Sequence, residues 1–201
     1  MPNNSVLPYS QASENNKLPI LSILQRYFDS VSSVLEIGSG TAQHGEFFAE
    51  HFPHIIWQCS DIPENLEITQ QRIVAKALQN LPTAFRLNVD EEQWDCATYD
   101  CVFTANSLHI MAYGSVVNFF KGLPQCLKPN ALLLLYGPFK YAGEFTTESN
   151  AKFDISLKLQ NPICGIRDFE RVLELTEGAG LSFLEDNPMP ANNQLLVFRQ
   201  S

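Results

Sequence analysis

The stretch Ser33-Val34-Leu35-Glu36-Ile37-Gly38-Ser39-Gly40-Thr41 is the part of this sequence that predicts most about the fold. Its apolar residues 34–37 predict a short buried strand, and two glycines spaced one residue apart follow at once. Glycine has no Cβ, so a ligand can approach the backbone of such a turn closely. The residues after the turn have the pattern of a helix. This order of strand, turn and helix is typical of α/β sheets that bind a nucleotide or a nucleoside.

Acidic residues flank this turn. Glu36 stands just before it, and Asp61 follows about 20 residues further on. Two carboxylates suit a ligand that carries hydroxyl groups and a positive charge better than they suit a bare phosphate. S-adenosylmethionine (SAM) is such a ligand, so we expect a SAM site formed by Glu36, Gly38, Ser39, Gly40 and Asp61.

Two alternatives apply to the same residues. A dinucleotide site needs a third small residue in the pattern G-x-G-x-x-G/A, and Gln43 stands at that position, which argues against NAD(P). Asp61 also opens the sequence Asp61-Ile62-Pro63-Glu64, which has the features of a helix start with an acidic N-cap. One carboxylate can serve both as a helix cap and as a cofactor ligand.

Segments of strand length and helix length alternate along the chain. Seven strands are predicted, at residues 33–37, 55–59, 84–87, 99–104, 131–136, 181–184 and 195–198. Five helices are predicted. The first ends near residue 28, the second covers 42–51, and the third starts at 61–64 and buries Ile73, Val74, Ala77 and Leu78. The last two include residues 116–123 and 169–177. The predicted fold is α/β, a doubly wound, mostly parallel, Rossmann-like sheet in a single domain over residues 1–201. The last two strands, joined by a turn at 187–190, add an antiparallel edge.

The composition limits the partners. The 201 residues carry a formal charge of −9, and an acidic surface repels phosphate backbones, so we expect no nucleic-acid partner. The longest apolar run, residues 131–136, is too short to cross a bilayer, and residues 1–10 lack the features of a secretory signal. With five cysteines and no C-x-x-C pair, we expect a cytoplasmic protein without a membrane partner. No feature of the sequence indicates an oligomeric state.

The E-x-G-x-G form of the turn resembles the first motif of class I SAM-dependent methyltransferases. Further stretches resemble a small, largely uncharacterised family of methyltransferase-like proteins from bacteria and animals. These stretches are residues 9–16, 136–139, 149–154, 165–168 and 189–193. The resemblance implies a class I methyltransferase fold with a SAM site, and it supplies no substrate.

The resemblance also implies roles for the loops that follow the strands. In such folds the loop after the third strand borders the adenine, which points to Asn88 and Asp90, although Asp90 lies beside Glu91 and Glu92 and also fits a solvated acidic loop. Asn106 follows the fourth strand, where cofactor and acceptor meet in this family. Ligands in open α/β sheets bind outside the carboxyl ends of the strands, which includes all of these loops.

The acceptor side is predicted from irregular segments. The connection at 137–166 is longer than is usual in a compact domain, and we expect it to act with residues 1–30 as a lid that closes over SAM. The residues expected to face the acceptor are Tyr9, Tyr136, Phe139, Asn150, Phe153 and Arg167. For the phenylalanines, ordinary packing is an equal alternative.

His109 is the candidate general base because it follows the fourth strand and imidazole titrates near neutrality. A histidine that only hydrogen-bonds in the pocket wall is the alternative. The sequence has no Cys/His cluster, so we expect no metal. The predicted function is methyl transfer from SAM to an acceptor, either a small molecule, which the acidic composition favours, or an exposed protein side chain. A non-catalytic SAM-binding or interaction module and a nucleotide-dependent oxidoreductase are the competing hypotheses.

Overall fold

The computed structural model describes residues 7–201 and divides into two compact units, Met1–Leu87 and Asn88–Ser201. Residues 1–6 lie outside the described residues; they belong to the predicted 1–30 lid segment and to the stretch 1–10, in which no secretory signal is expected. No helix within residues 7–201 is long and apolar enough to span a membrane.

The first unit alternates helix and strand. Its elements are α1 (Gln11–Tyr27), β1 (Ser33–Ile37), α2 (Gln43–His51), β2 (Ile56–Asp61), α3 (Pro63–Lys76) and β3 (Phe85–Arg86), with a short 3-10 helix at Phe28–Ser30. The strands are parallel: β1 pairs with β2, and β2 with β3. Phe28, Phe48 and Trp57 form an aromatic cluster in the core, with ring centroids 5.0 to 6.4 Å from that of Trp57.

The second unit contains the rest of the sheet and a longer excursion. Its elements are β4 (Tyr99–Ala105), α4 (Tyr113–Gly122), β5 (Leu127–Gly137), β6 (Phe139–Tyr141), β7 (Glu144–Phe145), α5 (Glu148–Gln160), β8 (Arg167–Asp168), α6 (Phe169–Gly178), β9 (Leu181–Met189) and β10 (Asn193–Gln200), with 3-10 helices at Leu123–Gln125 and Pro190–Asn192. In this unit β4 and β5 are parallel, whereas β10 is antiparallel to both β5 and β9.

The fold class predicted from the sequence is confirmed. The structure is α/β, and its main sheet has seven strands, mostly parallel, with the antiparallel strands at the C-terminus. The turn predicted at 187–190 is wrong, because β9 continues through Pro188 to Met189 and the chain reverses at Pro190–Asn192. Proline is tolerated there because β9 is an edge strand, where one side of the strand needs no ladder donors.

The connection at 137–166 is largely regular rather than irregular. It contains β6, β7 and α5, and β6 pairs with β7 and β8 in a separate three-stranded sheet. Thr147 caps α5, since its hydroxyl accepts a hydrogen bond from the Asn150 N–H. Closure of this segment over a ligand, and the single domain expected for 1–201, stay predictions.

Candidate functional site

The glycine turn after β1 has the backbone conformation that its sequence predicts. Gly38 and Gly40 have φ angles of 74° and 52°, in the left-handed region that favours glycine. The N–H groups of Gly38 and Ser39 each donate to the Ser60 carbonyl at 3.0 Å. A Cβ added at Gly40 would meet no atom within 4 Å, so open space lies beside this part of the turn.

Three side chains hold the turn in place. The Gly40 N–H donates to Asp61 Oδ2 at 2.7 Å, and the Gly40 carbonyl accepts from Thr69 Oγ1 at 2.7 Å. Arg72 Nε donates to the Thr41 carbonyl at 2.8 Å. Thr69 and Arg72 both belong to α3 and are buried. The turn is therefore fixed from both its N–H and its carbonyl side.

Asp61 ends β2 and is 5% exposed. Its Oδ1 accepts from the Ile62 N–H at 2.8 Å and from Asn65 Nδ2 at 2.9 Å, so with Gly40 it accepts three hydrogen bonds. A carboxylate has about four acceptor positions, which leaves capacity for one further donor. The helix-cap alternative is wrong in detail: the N-cap of α3 is Ile62, and no side chain caps it.

Glu36 lies in the interior of the first unit and is 2% exposed. Its Oε2 accepts from Trp57 Nε1 at 2.7 Å and from the Cys59 thiol at 3.5 Å. Burial raises the pKa of Glu36 to about 7. These contacts give Glu36 a role inside the core, and its predicted contact with a cofactor gains no support from this geometry.

His44 completes the polar cluster around Glu36. Its Nε2 lies 2.6 Å from Asn16 Oδ1, which requires the Nε2–H tautomer, and its Nδ1 lies 4.0 Å from Glu36 Oε1. Burial lowers the pKa of His44 to about 4, and the charge of Lys17 acts in the same direction. At neutral pH the imidazole is therefore uncharged.

Ser39 and Gln43 are also used within the first unit. The Ser39 hydroxyl donates to the Glu36 carbonyl at 3.3 Å and accepts from the Ser60 N–H at 3.2 Å. Gln43 makes two hydrogen bonds to the backbone of Ser10, one from the Ser10 N–H to Oε1 and one from Nε2 to the Ser10 carbonyl. Arg72 Nη2 also donates to the Pro8 carbonyl at 2.5 Å. Residues 8–10 are thus tied to the helices that follow the glycine turn, which periodicity in the sequence does not show.

Asp90 in the second unit is directed toward α4. It accepts from Ser115 Oγ at 2.8 Å and from Asn118 Nδ2 at 3.0 Å, while its own N–H donates to Asn88 Oδ1 at 3.0 Å. The solvated-loop alternative is right about exposure but omits these contacts. The predicted adenine contact of Asp90 has no support from this arrangement.

Asn106 ends β4 with a φ angle of 59°. Asparagine tolerates this left-handed conformation better than most residues. Its N–H donates to the carbonyl of Tyr136 at 2.8 Å. The chain therefore turns sharply at the carboxyl end of β4, and the predicted cofactor contact of Asn106 stays a prediction.

His109 is buried in the second unit, with 6% exposure. The Phe153 ring stands edge-on to its imidazole at 5.5 Å, and a Cβ added to Gly137 would lie 3.7 Å from its Nδ1. Burial and the positive charge of Arg167 lower the pKa of His109 to about 4. The imidazole is neutral at physiological pH and can accept a proton only weakly.

Arg167, predicted to face the acceptor, makes contacts within the second unit, and its acceptor role stays a prediction. Its guanidinium donates to three backbone carbonyls: Leu108 at 3.0 Å, Ile163 at 3.3 Å and Met111. Its Nε and Nη2 donors therefore fasten the segment after β4. The sequence could not reveal this, because backbone carbonyls leave no residue pattern.

The other residues predicted to face the acceptor differ in their surroundings. Tyr9 and Phe153 are exposed, while Tyr136 on β5 and Phe139 on β6 are buried, as the packing alternative for Phe139 proposes. Asn150 is buried in the first turn of α5. Its Nδ2 donates to Thr146 Oγ1 at 2.9 Å and to the Asn192 carbonyl at 3.0 Å, so this amide joins α5 to the β9–β10 hairpin. In residues 7–201 no group of three or more His, Cys, Asp and Glu side chains is arranged to hold a metal ion.

The family described as "Protein of unknown function (DUF938)" matches residues 7–200. Among solved structures, an O-methyltransferase family protein from Burkholderia thailandensis is 16% identical with a TM-score of 0.81, covering 92% of this chain and 56% of that chain. The S-adenosylmethionine-dependent methyltransferase SibL in its apo form is 19% identical with a TM-score of 0.78, covering 94% and 55%. An O-methyltransferase family 2 protein from Planctomyces limnophilus, in complex with apigenin, is 15% identical with a TM-score of 0.73, covering 84% and 51%. These likenesses show the fold, and the chain spans about half the length of these structures.

Proposed function

The chain belongs to the DUF938 family, and from this membership, its methyltransferase-like fold and its glycine turn we propose that it is a SAM-dependent methyltransferase acting on a small molecule. The fold is shared with proteins that are named as SAM-dependent or O-methyltransferases. One of those proteins was solved with apigenin, a small molecule. The formal charge of −9 also favours a small acceptor over a nucleic acid.

The observation that carries the proposal is the fixed glycine turn with open space beside Gly40. A turn held on both sides loses little conformational entropy when a ligand binds against its backbone. Asp61 retains acceptor capacity next to the turn, which suits the ribose hydroxyls of a nucleoside. These groups supply the kinds of contact that an adenosyl ligand needs.

SAM supplies a methyl group that is already activated by its positively charged sulfonium. The protein therefore has to bind the acceptor, orient it and remove a proton where the acceptor carries one. Gly38, Gly40 and Asp61 would hold the cofactor. Asn88, Asp90 and Asn106 of the second unit remain predicted contacts for it.

His109 is the residue that we propose for proton removal. Its imidazole is neutral, so a ring nitrogen has a lone pair for the acceptor's proton. A pKa of about 4 makes it a weak base in the free protein, which suits an acceptor that is itself acidic or that needs little assistance. The alternative role in the wall of a pocket is compatible with its contact with Phe153.

A second candidate function, a SAM-binding module without turnover, is favoured by one group of observations. Arg167 and Asn150, expected at the acceptor, are both engaged in contacts within the second unit. The weak basicity of His109 points the same way. Transfer of a methyl group is therefore the property that separates the two candidates.

The test is label transfer from methyl-labelled SAM into a deproteinised metabolite extract. We expect wild-type protein to move label into the extract and the Gly40→Ala variant to lose this activity, because its Cβ would occupy the open space beside the turn. Gly143→Ala is the matched control: Gly143 also has a positive φ, 80°, with no atom within 4 Å of an added Cβ, but it lies between β6 and β7. Binding of SAM with no label transfer by the wild type would favour the module without turnover.

A further inference from the structure

The second unit contains a cavity of about 180 Å³ beside the three-stranded sheet and the start of α6. The lining includes four cationic side chains, Lys140, Lys158, Arg167 and Arg171, and one acidic side chain, Asp168. The stretches at 136–139, 149–154 and 165–168, which carry the family resemblance, lie in the elements around it. A cationic lining is unexpected in a chain with a formal charge of −9.

The carboxylates around the cavity do not balance these cations. Lys140 pairs with Asp168 at 3.1 Å, Lys158 pairs with Asp154 at 2.6 Å, and Arg171 pairs with Glu174. Among residues 7–201, the hydrogen-bond partners of Arg167 are backbone carbonyls. Three of the four cations therefore have a carboxylate partner, whereas Arg167 has no ion pair with a carboxylate among the described residues.

The backbone at residues 165 and 166 makes close contacts beside the cavity. The Ile166 N–H donates to Asp154 Oδ1 at 2.8 Å, which fixes the chain before β8 against α5. At Gly165, φ is 154°, and a Cβ would lie 3.0 Å from both Asp154 Oδ1 and the Cε of Lys158. A larger residue at position 165 would require Lys158 to shift by a few tenths of an ångström. The position of that cation thus depends on a glycine.

Asp168 gives the cavity a second chemical requirement. Its Oδ2 takes the ion pair with Lys140, but its Oδ1 is buried and has no hydrogen-bond donor among the described residues. Asp168 is also the N-cap residue of α6, and no side chain caps that helix. The first N–H groups of α6 add partial positive charge at this end of the cavity.

We propose that this cavity binds a small molecule through an oxyanion, a carboxylate or a phosphate group, and through an O–H or N–H group on the same molecule. The oxyanion is held by the cationic lining, in which Lys140 and Arg171 would exchange part of their present contacts with Asp168 and Glu174 for contacts with the oxyanion. The hydrogen-bond donor satisfies Asp168 Oδ1. The site is argued from the second unit alone and does not depend on SAM binding.

Calorimetric titration with three probes tests this site at low ionic strength, about 20 mM, where screening is weak. Inorganic phosphate and glycolate each combine an oxyanion with a hydroxyl group, whereas acetate has the oxyanion alone. We expect phosphate or glycolate to bind, and acetate to bind more weakly than glycolate. Which of the two binds more tightly identifies the oxyanion.

Three variants locate the binding. Lys140→Gln and Arg171→Gln are each expected to weaken it by roughly three- to tenfold, because each removes a charged donor. Lys121→Gln, an equal change of charge on the exposed face of α4, should leave binding unchanged. Arg171 is largely exposed, so that variant is expected to fold even where Lys140→Gln does not.

The proposal is overturned if neither phosphate nor glycolate binds, or if both cavity variants bind like wild type. Acetate binding as tight as glycolate binding would overturn the role of Asp168. Since no probe is an adenosyl compound, failure here leaves the methyltransferase proposal untouched, and the converse also holds.

Discussion

Folding buries the carboxyl group of Glu36, and this burial makes the stability of the first unit depend on pH. Its pKa is raised to about 7 by burial, so the folded state binds this proton more tightly than the unfolded chain, with its ordinary value of 4.5. The first unit therefore loses stability as pH rises from about 4.5 to about 7, and the loss is complete above that range. A shift of this size corresponds to about 3 kcal/mol.

We predict that Glu36→Gln removes this pH dependence. Glutamine imitates the protonated carboxyl and keeps an oxygen for Trp57 Nε1. The variant should match wild type at about pH 4.5 and exceed it by about 3 kcal/mol at about pH 8. Urea unfolding at both pH values measures the difference, with Glu67→Gln on the exposed face of α3 as the control. An equal gain at both pH values would refute the assignment.

His109 allows a second prediction about a single residue. We expect its imidazole to titrate with a midpoint of about 4, because burial and Arg167 both disfavour the charged form. NMR titration of the ring, assigned with His109→Asn, measures this midpoint directly. A midpoint near the ordinary value of 6.5 would show that the ring is solvated, and a strong general base would then become the better description.

Residues 8–10 pack against the helices that follow the glycine turn, a contact that sequence patterns did not predict. Gln43 makes two hydrogen bonds to the backbone of Ser10. Gln43→Ala removes both, and we expect the Ser10 amide to exchange hydrogen at least roughly tenfold faster, since its protection then depends on local opening. Hydrogen exchange measured by NMR tests this. Gln71→Ala, on the exposed face of α3, should leave that amide unchanged.

The bounds of helices and strands were predicted most accurately where apolar residues recur with a regular spacing. The predicted strand at residues 33–37 has the observed bounds of β1. The predicted helix at 169–177 ends one residue before α6 does. α5 was missed because two of its buried residues, Asn150 and Asp154, are polar and hide the helical period. The predicted buried face of α3 was wrong at Val74, which is 68% exposed, and at Ala77, which is exposed and lies beyond the last residue of α3.

The reason for the error on α3 is specific. α3 buries the polar side chains of Thr69 and Arg72 where apolar side chains are expected, because both donate to carbonyls of the glycine turn. Burial of a polar residue with distant partners cannot be read from local periodicity. For the same reason, the sequence identified the glycine turn and Asp61 but missed the α3 side chains that hold the turn.

For the whole molecule, the sequence was sufficient for the fold class and for the place of the glycine turn. It was insufficient for the use of individual side chains. Glu36 and Arg167 were expected at a ligand, and the structure shows partners for both inside their own units that the sequence did not reveal; their ligand contacts stay predictions. The sequence shows the same charged residue at a strand end whether its side chain faces a ligand or the core. Only the side chain's contacts in the folded protein distinguish the two cases.

Calorimetric titration with S-adenosylhomocysteine and NADH shows whether the glycine turn binds the adenosyl cofactor, as we propose. We predict micromolar binding of S-adenosylhomocysteine and none of NADH. Asp61→Asn should weaken the binding at least roughly tenfold by removing a charged acceptor. Glu67→Gln, an equal change of charge on α3, should not. Absence of heat with S-adenosylhomocysteine at about 1 mM, or binding of NADH in its place, would contradict the account.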